Sequence, residues 1–311
     1  MKLAEIVRQY VAHKQSMGMR FSTEQRTLKS FCRAIGDIRM ADIEADSVLA
    51  FIAGTGPVTR FWHRKREVLI GLYRFAIARG YCVVAPLPTN LPKPPQPFVP
   101  YIYSHKELRR LLDATSRCEH PLSKVRAYTY RSLLLLLYGA GLRISEALGL
   151  TLNDVNVSIG VVQIRQSKFY KTRLLPLGPD LVSALSAYAS QRNKTHLTQP
   201  DAPFFVCRNG SAITLRTADG IFHQLRLRAS VQRTDGGRFQ PRLHDIRHTF
   251  AVHRLISWYR KGADVQRLLP QLATYLGHVH IGATQRYLTM TPELLREAGK
   301  RFEHYSLGGK A

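Results

Sequence analysis

The sequence predicts a mainly α protein with a small antiparallel β-sheet, an α+β chain arranged as an N-terminal helical bundle and a larger second domain. Three observations carry that expectation. Apolar residues recur at helical spacing along most of the chain, only two short runs alternate as strands, and a proline-rich stretch interrupts the pattern near one third of its length. At 311 residues the chain also exceeds what one hydrophobic core usually organises.

In chain order, Leu3, Ile6, Val7, Tyr10 and Val11 lay an apolar stripe along a helix from Leu3 to about Met17. A second helix is expected from Thr23, capped by Ser22 or Thr23, with Leu28, Phe31, Cys32 and Ile35 inward and Gly36-Asp37 as its stop. A short helix follows from Asp46 to Phe51. A fourth runs from Thr59 to Ala78, with Phe61, Trp62, Val68, Leu69, Leu72 and Phe75 inward and Arg60, Arg64, Lys65 and Arg66 gathered near its start. Seven prolines in the fifteen residues from Pro86 to Pro100 forbid a helix and predict a stiff extended connector. The expected boundaries are therefore a helical domain over 1–85, a linker over 86–102 and a second domain over 103–311.

Beyond the linker, Ser104 and Glu107 are spaced as a capping box for a helix through Leu112. Tyr128–Tyr138 is a strongly apolar helix that stops at Gly139-Ala140-Gly141, and Ile144–Leu150 restarts as another. The run from Gly160 to Gln166 alternates as a strand and Arg173–Leu177 as a second, so a hairpin should turn around Ser167–Lys171. Helices are expected over Pro179–Tyr188, Leu215–Val231, His244–Tyr259, Val265–Tyr275 and Ala283–Tyr287.

Composition narrows the function. Lys and Arg number 46 against 21 Asp and Glu, a net charge of +25, and the isoelectric point is near 10.4. Residues 1–100 carry +8 and the remainder +17, so neither part is merely a basic tail. A polyanion partner is expected, and the dispersed charge suits nucleic acid better than a membrane surface. The apolar run Leu133–Leu142 is too short to span a bilayer, and MKLAEIVRQY lacks a signal-peptide core, so a cytoplasmic location is expected. Cys32, Cys82, Cys118 and Cys207 stand far apart with no Cys-x-x-Cys pair, and no His-Glu-x-x-His occurs. They read as reduced packing residues, and neither a metal nor another cofactor is expected.

Five features stand in order in the second domain: Gly141-Leu-Arg143-Ile-Ser-Glu146, Lys168 in the hairpin, His244-Asp-Ile-Arg247-His248, Leu276-Gly277-His278 and Thr284-Gln-Arg-Tyr287. In this order and spacing the chain resembles the tyrosine recombinases, the phage-integrase and Xer-like enzymes of DNA strand exchange. The resemblance covers the whole chain coarsely and is specific in the second domain. It implies a helical core-binding domain followed by a tyrosine-recombinase catalytic domain, which clamp duplex DNA and work as a homotetramer on two recombination sites. Related recombinases or accessory DNA-bending proteins are further implied partners, and Glu293–Tyr305 is implied as a segment docking on a neighbouring subunit.

The residue types match the chemistry that the resemblance implies. Attack on a phosphodiester loads charge onto its non-bridging oxygens, and permanently charged, forked guanidiniums such as Arg143 and Arg247 suit that charge. His244 lies one helical turn from Arg247 and so shares its face. His278 is expected to hydrogen-bond phosphate or orient the nucleophile. Lys168 is expected to protonate the departing 5′ oxygen, with Lys171 as its rival. Tyr287 would be the nucleophile, a phenol that needs a positive field to react as phenolate. Glu146 would buttress an arginine, and the cluster Arg60, Arg64, Lys65 and Arg66 would contact DNA phosphates. Tyr275 and Tyr305 fit packed aromatics better, and His248, His253 and His280 match no required position. A relaxing topoisomerase shares the chemistry, and an inactive DNA-binding relative would keep the fold and charge. The short N-terminal bundle favours a recombinase, and the intact set of six favours an enzyme.

Overall fold

A computed structural model of the chain describes residues 1–96, 98–117, 119–120, 122–165, 172–237, 239–278 and 280–306. It divides into two compact units, Met1–Phe98 and Val99–Ala311.

The first unit holds four helices, α1 (Leu3–Ser16), α2 (Ser22–Ile35), α3 (Ala45–Ala53) and α4 (Arg60–Ala78). Their inward stripes meet in one core that includes Leu3, Ile6, Tyr10, Leu28, Phe31, Trp62, Leu69 and Leu72. The start of α4 is capped by the Thr59 hydroxyl, which accepts the Phe61 N–H at 3.2 Å. Two details differ from the sequence reading. No side chain caps α2; Phe21 holds the N-cap position in the left-handed region (φ 48°), and its ring meets the Tyr10 ring edge-on at 5.4 Å. Phe61 is not inward but 52% exposed, with the Lys65 ammonium 5.2 Å from its ring centroid.

The second unit opens with α5 (His105–Arg117). The Glu107 carboxylate accepts the Ser104 N–H at 2.8 Å and the Ser104 hydroxyl accepts the Glu107 N–H at 3.2 Å, the capping box read from the sequence. Then come α6 (Ala127–Ala140), α7 (Ile144–Leu148) and a three-stranded antiparallel sheet of β1 (Val155–Asn156), β2 (Val161–Ile164) and β3 (Arg173–Pro176), in spatial order β1-β2-β3. The register pairs Ile164 with Arg173 and Val161 with Pro176. The expected hairpin turn, Lys168 included, lies outside the described residues.

The chain continues through α8 (Pro179–Asn193), α9 (Leu215–Arg228), α10 (Asp245–Arg260), α11 (Val265–Leu276), the one-turn α12 (Gly282–Gln285), a 3-10 turn over Arg286–Thr289, and α13 (Pro292–Ser306). The main core gathers Leu133, Leu136 and Leu137 of α6, Val162 and Leu175 of the sheet, Leu185 of α8 and Phe222 of α9. A second cluster joins Phe250, Leu255, Leu272, Leu276, Tyr287 and Leu294 around α10. Arg192 is 1% exposed, its guanidinium spent on the carbonyls of Leu197, Pro203 and Phe204. α13, expected to serve a neighbouring subunit, here packs on α10 of its own chain, with Leu294 fully buried and Arg260 Nη2 2.7 Å from Glu293. Cys82 and Cys207 are buried and Cys32 half-buried, all three free, while Cys118 lies outside the described residues. Among the described residues no helix is long and apolar enough to cross a membrane.

Candidate active site

Arg143 stands where α6 gives way to α7. Gly141 closes α6 in the left-handed region (φ 59°). A Cβ there would run into the Phe250 ring and lie 3.0 Å from Leu276 Cδ2, so this sharp turn needs glycine. Two residues later Arg143 takes the N-cap of α7. Its backbone N–H donates to Glu146 Oε2 at 3.0 Å and its Nη1 to Oε1 at 2.7 Å, while Nη2 donates to the Gly277 carbonyl at 3.1 Å. Arg247, on the first turn of α10, is 3% exposed. Its Nη1 donates to the Gly141 carbonyl at 2.7 Å and its Nη2 to the Leu276 carbonyl at 2.6 Å. Burial first, and Arg143 second, lower its pKa to about 10, so it stays charged at neutral pH.

A third arginine completes the arrangement, and the sequence reading passed over it. Arg173, the first residue of β3, grips Glu146 with both terminal nitrogens, Nη1 to Oε1 at 3.1 Å and Nη2 to Oε2 at 2.9 Å, and its Nε donates to the Tyr275 carbonyl at 3.2 Å. The three successive carbonyls of Tyr275, Leu276 and Gly277 therefore each accept from a different arginine: 173, 247 and 143. These are the orphan acceptors at the C-terminal end of α11, where the helix dipole adds negative charge that favours cations. Glu146 supplies the balancing carboxylate, with Arg247 Nη1 at 4.0 Å from Oε2. Burial alone would raise its pKa. The bidentate Arg173, the Arg143 amide and the Arg143 charge outweigh burial and hold it at about 2.

His278 follows the left-handed Gly277 (φ 67°) that ends α11. Its Nδ1 is 2.7 Å from the hydroxyl of the fully buried Thr284, and its ring stacks on Tyr287 with centroids 6.0 Å apart and planes 25° apart. Burial, then Arg247 and Arg143, push its pKa down to about 4, so the imidazole is neutral at pH 7. Tyr287 is 2% exposed and sits in the 3-10 turn after α12 rather than on the helix expected there. Burial raises its phenol above the ordinary value, opposed by Arg247, Arg286 and Arg143. On its other side stands His248, with ring centroids 5.6 Å apart. His248 is held at about 3 by burial and then by His244 and Arg247, and its Nδ1 is buried without a partner. His244, at the N-cap of α10, reaches solvent while its ring meets His248 edge-on at 5.2 Å. Enclosure of that ring, then Arg247, lowers its pKa as well.

Arg143, Glu146, Arg247, His278 and Tyr287 thus converge, with His244 at the solvent side and Arg173 and His248 joining unannounced. The fourfold basic cluster of the first unit is less uniform. Arg60 is exposed, but Arg64 pairs with Glu24 at 2.9 Å, Lys65 donates to the Phe51 carbonyl at 2.7 Å and Arg66 to the Pro88 carbonyl at 3.2 Å. Among the described residues no group of three or more His, Cys, Asp or Glu side chains is placed to hold a metal ion.

Arg143, Arg247 and Arg173, gathered beside the buried Tyr287 and its neighbouring imidazoles, make a cationic cluster of the kind that suits an anionic phosphate group. The chain belongs to the phage integrase family, whose profile matches residues 102–293, and it is a tyrosine recombinase, an enzyme that breaks and rejoins DNA. It is 33% identical over 307 residues to a putative integrase/recombinase, y4rB, of Sinorhizobium fredii, covering 96% of each chain. It is 31% identical over 269 residues to the tyrosine recombinase XerD of Pseudomonas aeruginosa, covering 85% of this chain and 83% of that one. Among solved structures, the Tn1549 transposon integrase in complex with transposon right end DNA superposes with a TM-score of 0.71 at 17% identity, over 99% of each chain. A lambda integrase dimer bound to a COC′ core site gives 0.62 at 17% identity, over 90% of this chain and 96% of that one.

Proposed function

We propose that the chain is a site-specific DNA recombinase that cuts and rejoins strands through a 3′-phosphotyrosine intermediate, without metal or ATP, in the service of a mobile element or of chromosome or plasmid resolution. The observation that carries this reading is the packing of Tyr287 against His278 beside Arg247 and Arg143. Arg143 and Arg247 neutralise the non-bridging oxygens as charge builds on them, and because their partners already fix them, little reorganisation is needed at the moment of reaction. The Tyr287 phenol gives up its proton to water as its oxygen attacks phosphorus, the bond to the 5′ oxygen breaks, and Lys168 protonates that leaving oxygen. His244 and His278 hold phosphate oxygens. The phosphotyrosyl ester keeps the energy of the bond that was cut, so a 5′ hydroxyl from a second strand reseals it by the reverse displacement.

Both units contribute phosphate contacts in this reading, residues 1–85 as the core-binding domain, with Arg60 and Arg64 on one face of α4, and residues 103–311 as the catalytic domain, joined through 86–102. Recombination sites in double-stranded DNA are the substrate, two of them held by a homotetramer, with related recombinases or DNA-bending proteins as further partners. The test mixes the protein with labelled nicked duplexes tiled across the DNA flanking its gene. A denaturant-resistant, 3′-linked adduct that survives EDTA and disappears with Tyr287→Phe is the expected result. An adduct that persists in that variant would place the nucleophile elsewhere.

A further inference from the structure

We propose that Arg173 is a positioning residue for strand cleavage, the clamp through which β3 fixes both the Arg143 guanidinium and the loop that carries His278. The proposal rests on the recombinase reading above. Arg173 is 12% exposed, too enclosed for an ordinary strand arginine, and each nitrogen of its fork has an assigned partner. Two of those bonds go to Glu146, whose remaining bonds go to Arg143. The third goes to Tyr275, two residues before the carbonyl that holds Arg143 from the other side. Arg143 is therefore suspended between two supports, Glu146 and Gly277, and Arg173 braces both.

The packing agrees. A Cβ on Gly277 would lie 2.8 Å from Arg173 Nη1 and 2.9 Å from Cζ, so the guanidinium lies flat against that backbone and Gly277 is the residue that admits it. In the sequence Arg173 follows Lys168 by five residues, so the strand that Arg173 anchors begins shortly after that lysine in the chain. A single side chain thus ties together the first arginine motif, the hairpin and the glycine-histidine motif. With its fork fully engaged inside the protein, Arg173 acts on the phosphate through Arg143 and His278 and not by touching it.

Arg173→Met removes the fork while keeping the bulk, and Arg173→Lys keeps the charge without the bidentate grip. On a nicked duplex at saturating protein, the single-turnover rate of adduct formation should fall by about 100-fold in the first and about 10-fold in the second, as expected when a reacting group is misplaced by an ångström or so. DNA affinity and its salt dependence should stay close to wild type in both. Loss of the Arg173 partner should also let Glu146 titrate, giving Arg173→Met an acid limb in its rate profile that Glu146→Gln, added to it, abolishes. An unchanged cleavage rate overturns the proposal. So does a loss that appears wholly in DNA affinity with a shallower salt slope, which would make Arg173 a phosphate contact. Failure of the recombinase reading is distinguishable, because the wild type would then form no adduct. In that event thermal melting of Arg173→Met, Glu146→Gln and the double variant decides: strongly non-additive shifts support the clamp, and additive ones refute it.

Discussion

Glu146→Gln removes one negative charge from a point 2.7 Å from Arg143, 2.9 Å from Arg173 and 4.0 Å from Arg247. The carboxylate is 9% exposed, and the surrounding cations hold its pKa at about 2 against an ordinary 4.5. A displacement of that size corresponds to roughly 3 kcal/mol of stabilisation in the folded, ionised form. Breaking a buried ion pair by removing one partner typically costs about 3–5 kcal/mol, so the two routes agree. In a unit of this length about 1 kcal/mol moves Tm by roughly 2–4 °C, so the variant should melt some 6–12 °C below wild type at low salt. The sign with pH follows from a depressed carboxylate: its stabilisation is fully present above 4.5 and is lost as pH falls toward 2, so the gap should be constant from pH 6 to pH 8. The guanidiniums left without a counter-charge should take DNA phosphate in its place, so a short duplex should raise Tm more for the variant than for wild type. Calorimetry with and without duplex measures both quantities. A variant melting within about 2 °C of wild type, with the same gain from DNA, would refute the idea that Glu146 organises the three cations.

Two further outcomes follow from the same geometry. Gly141→Ala forces a left-handed residue with a Cβ into the Phe250 ring, which should cost about 2–4 kcal/mol by melting and slow adduct formation by disturbing the carbonyl that holds Arg247; an unperturbed melting curve would show that α10 yields easily there. His248 and His278 are held at about 3 and about 4 against an ordinary 6.5, so the unfolded chain binds protons that the folded one does not, and stability should drop as pH falls below 6.5, by about 1–2 kcal/mol per histidine at pH 5. His248→Gln should flatten that slope in a series of melts from pH 7 to pH 5, and an unchanged slope would mean that the imidazole is not kept neutral.

Much of this was legible in the sequence because it was written in spacing. The stripes Leu3, Ile6, Tyr10 and Leu69, Leu72, Phe75 are buried as their periods require, and Arg143, Glu146, Arg247, His278 and Tyr287, picked out by motif, lie in one cluster. The misses share a cause, which is that tertiary contacts overrode a local signal. In the sequence Arg173 reads only as the first residue of a strand, since nothing near it in the chain announces a carboxylate 27 positions away. Phe21 takes the N-cap position of α2 with its ring held against Tyr10, a packing contact that cap preferences do not register. α7 stops at Leu148 with Gly149 at its C-cap, and the Leu150 carbonyl beyond it accepts the backbone N–H of Phe204, a partner 54 residues downstream. Tyr287 reads as helical by pattern, yet the tighter 3-10 turn tucks it beneath His278.

The three consecutive carbonyls at the end of α11 behave like teeth on a rack. Each engages an arginine from a different segment, on α10, at the start of α7 and on β3. Sliding α11 by one residue would not exchange one bond for the next, because the arginines arrive from unlike directions and Gly277 is the tooth against which Arg173 lies flat. All three must disengage together. A shift of the α11 end as a whole would therefore loosen an arginine on α7, one on α10 and one on β3 at once, so this short stretch of backbone ties together three segments that are far apart in the sequence.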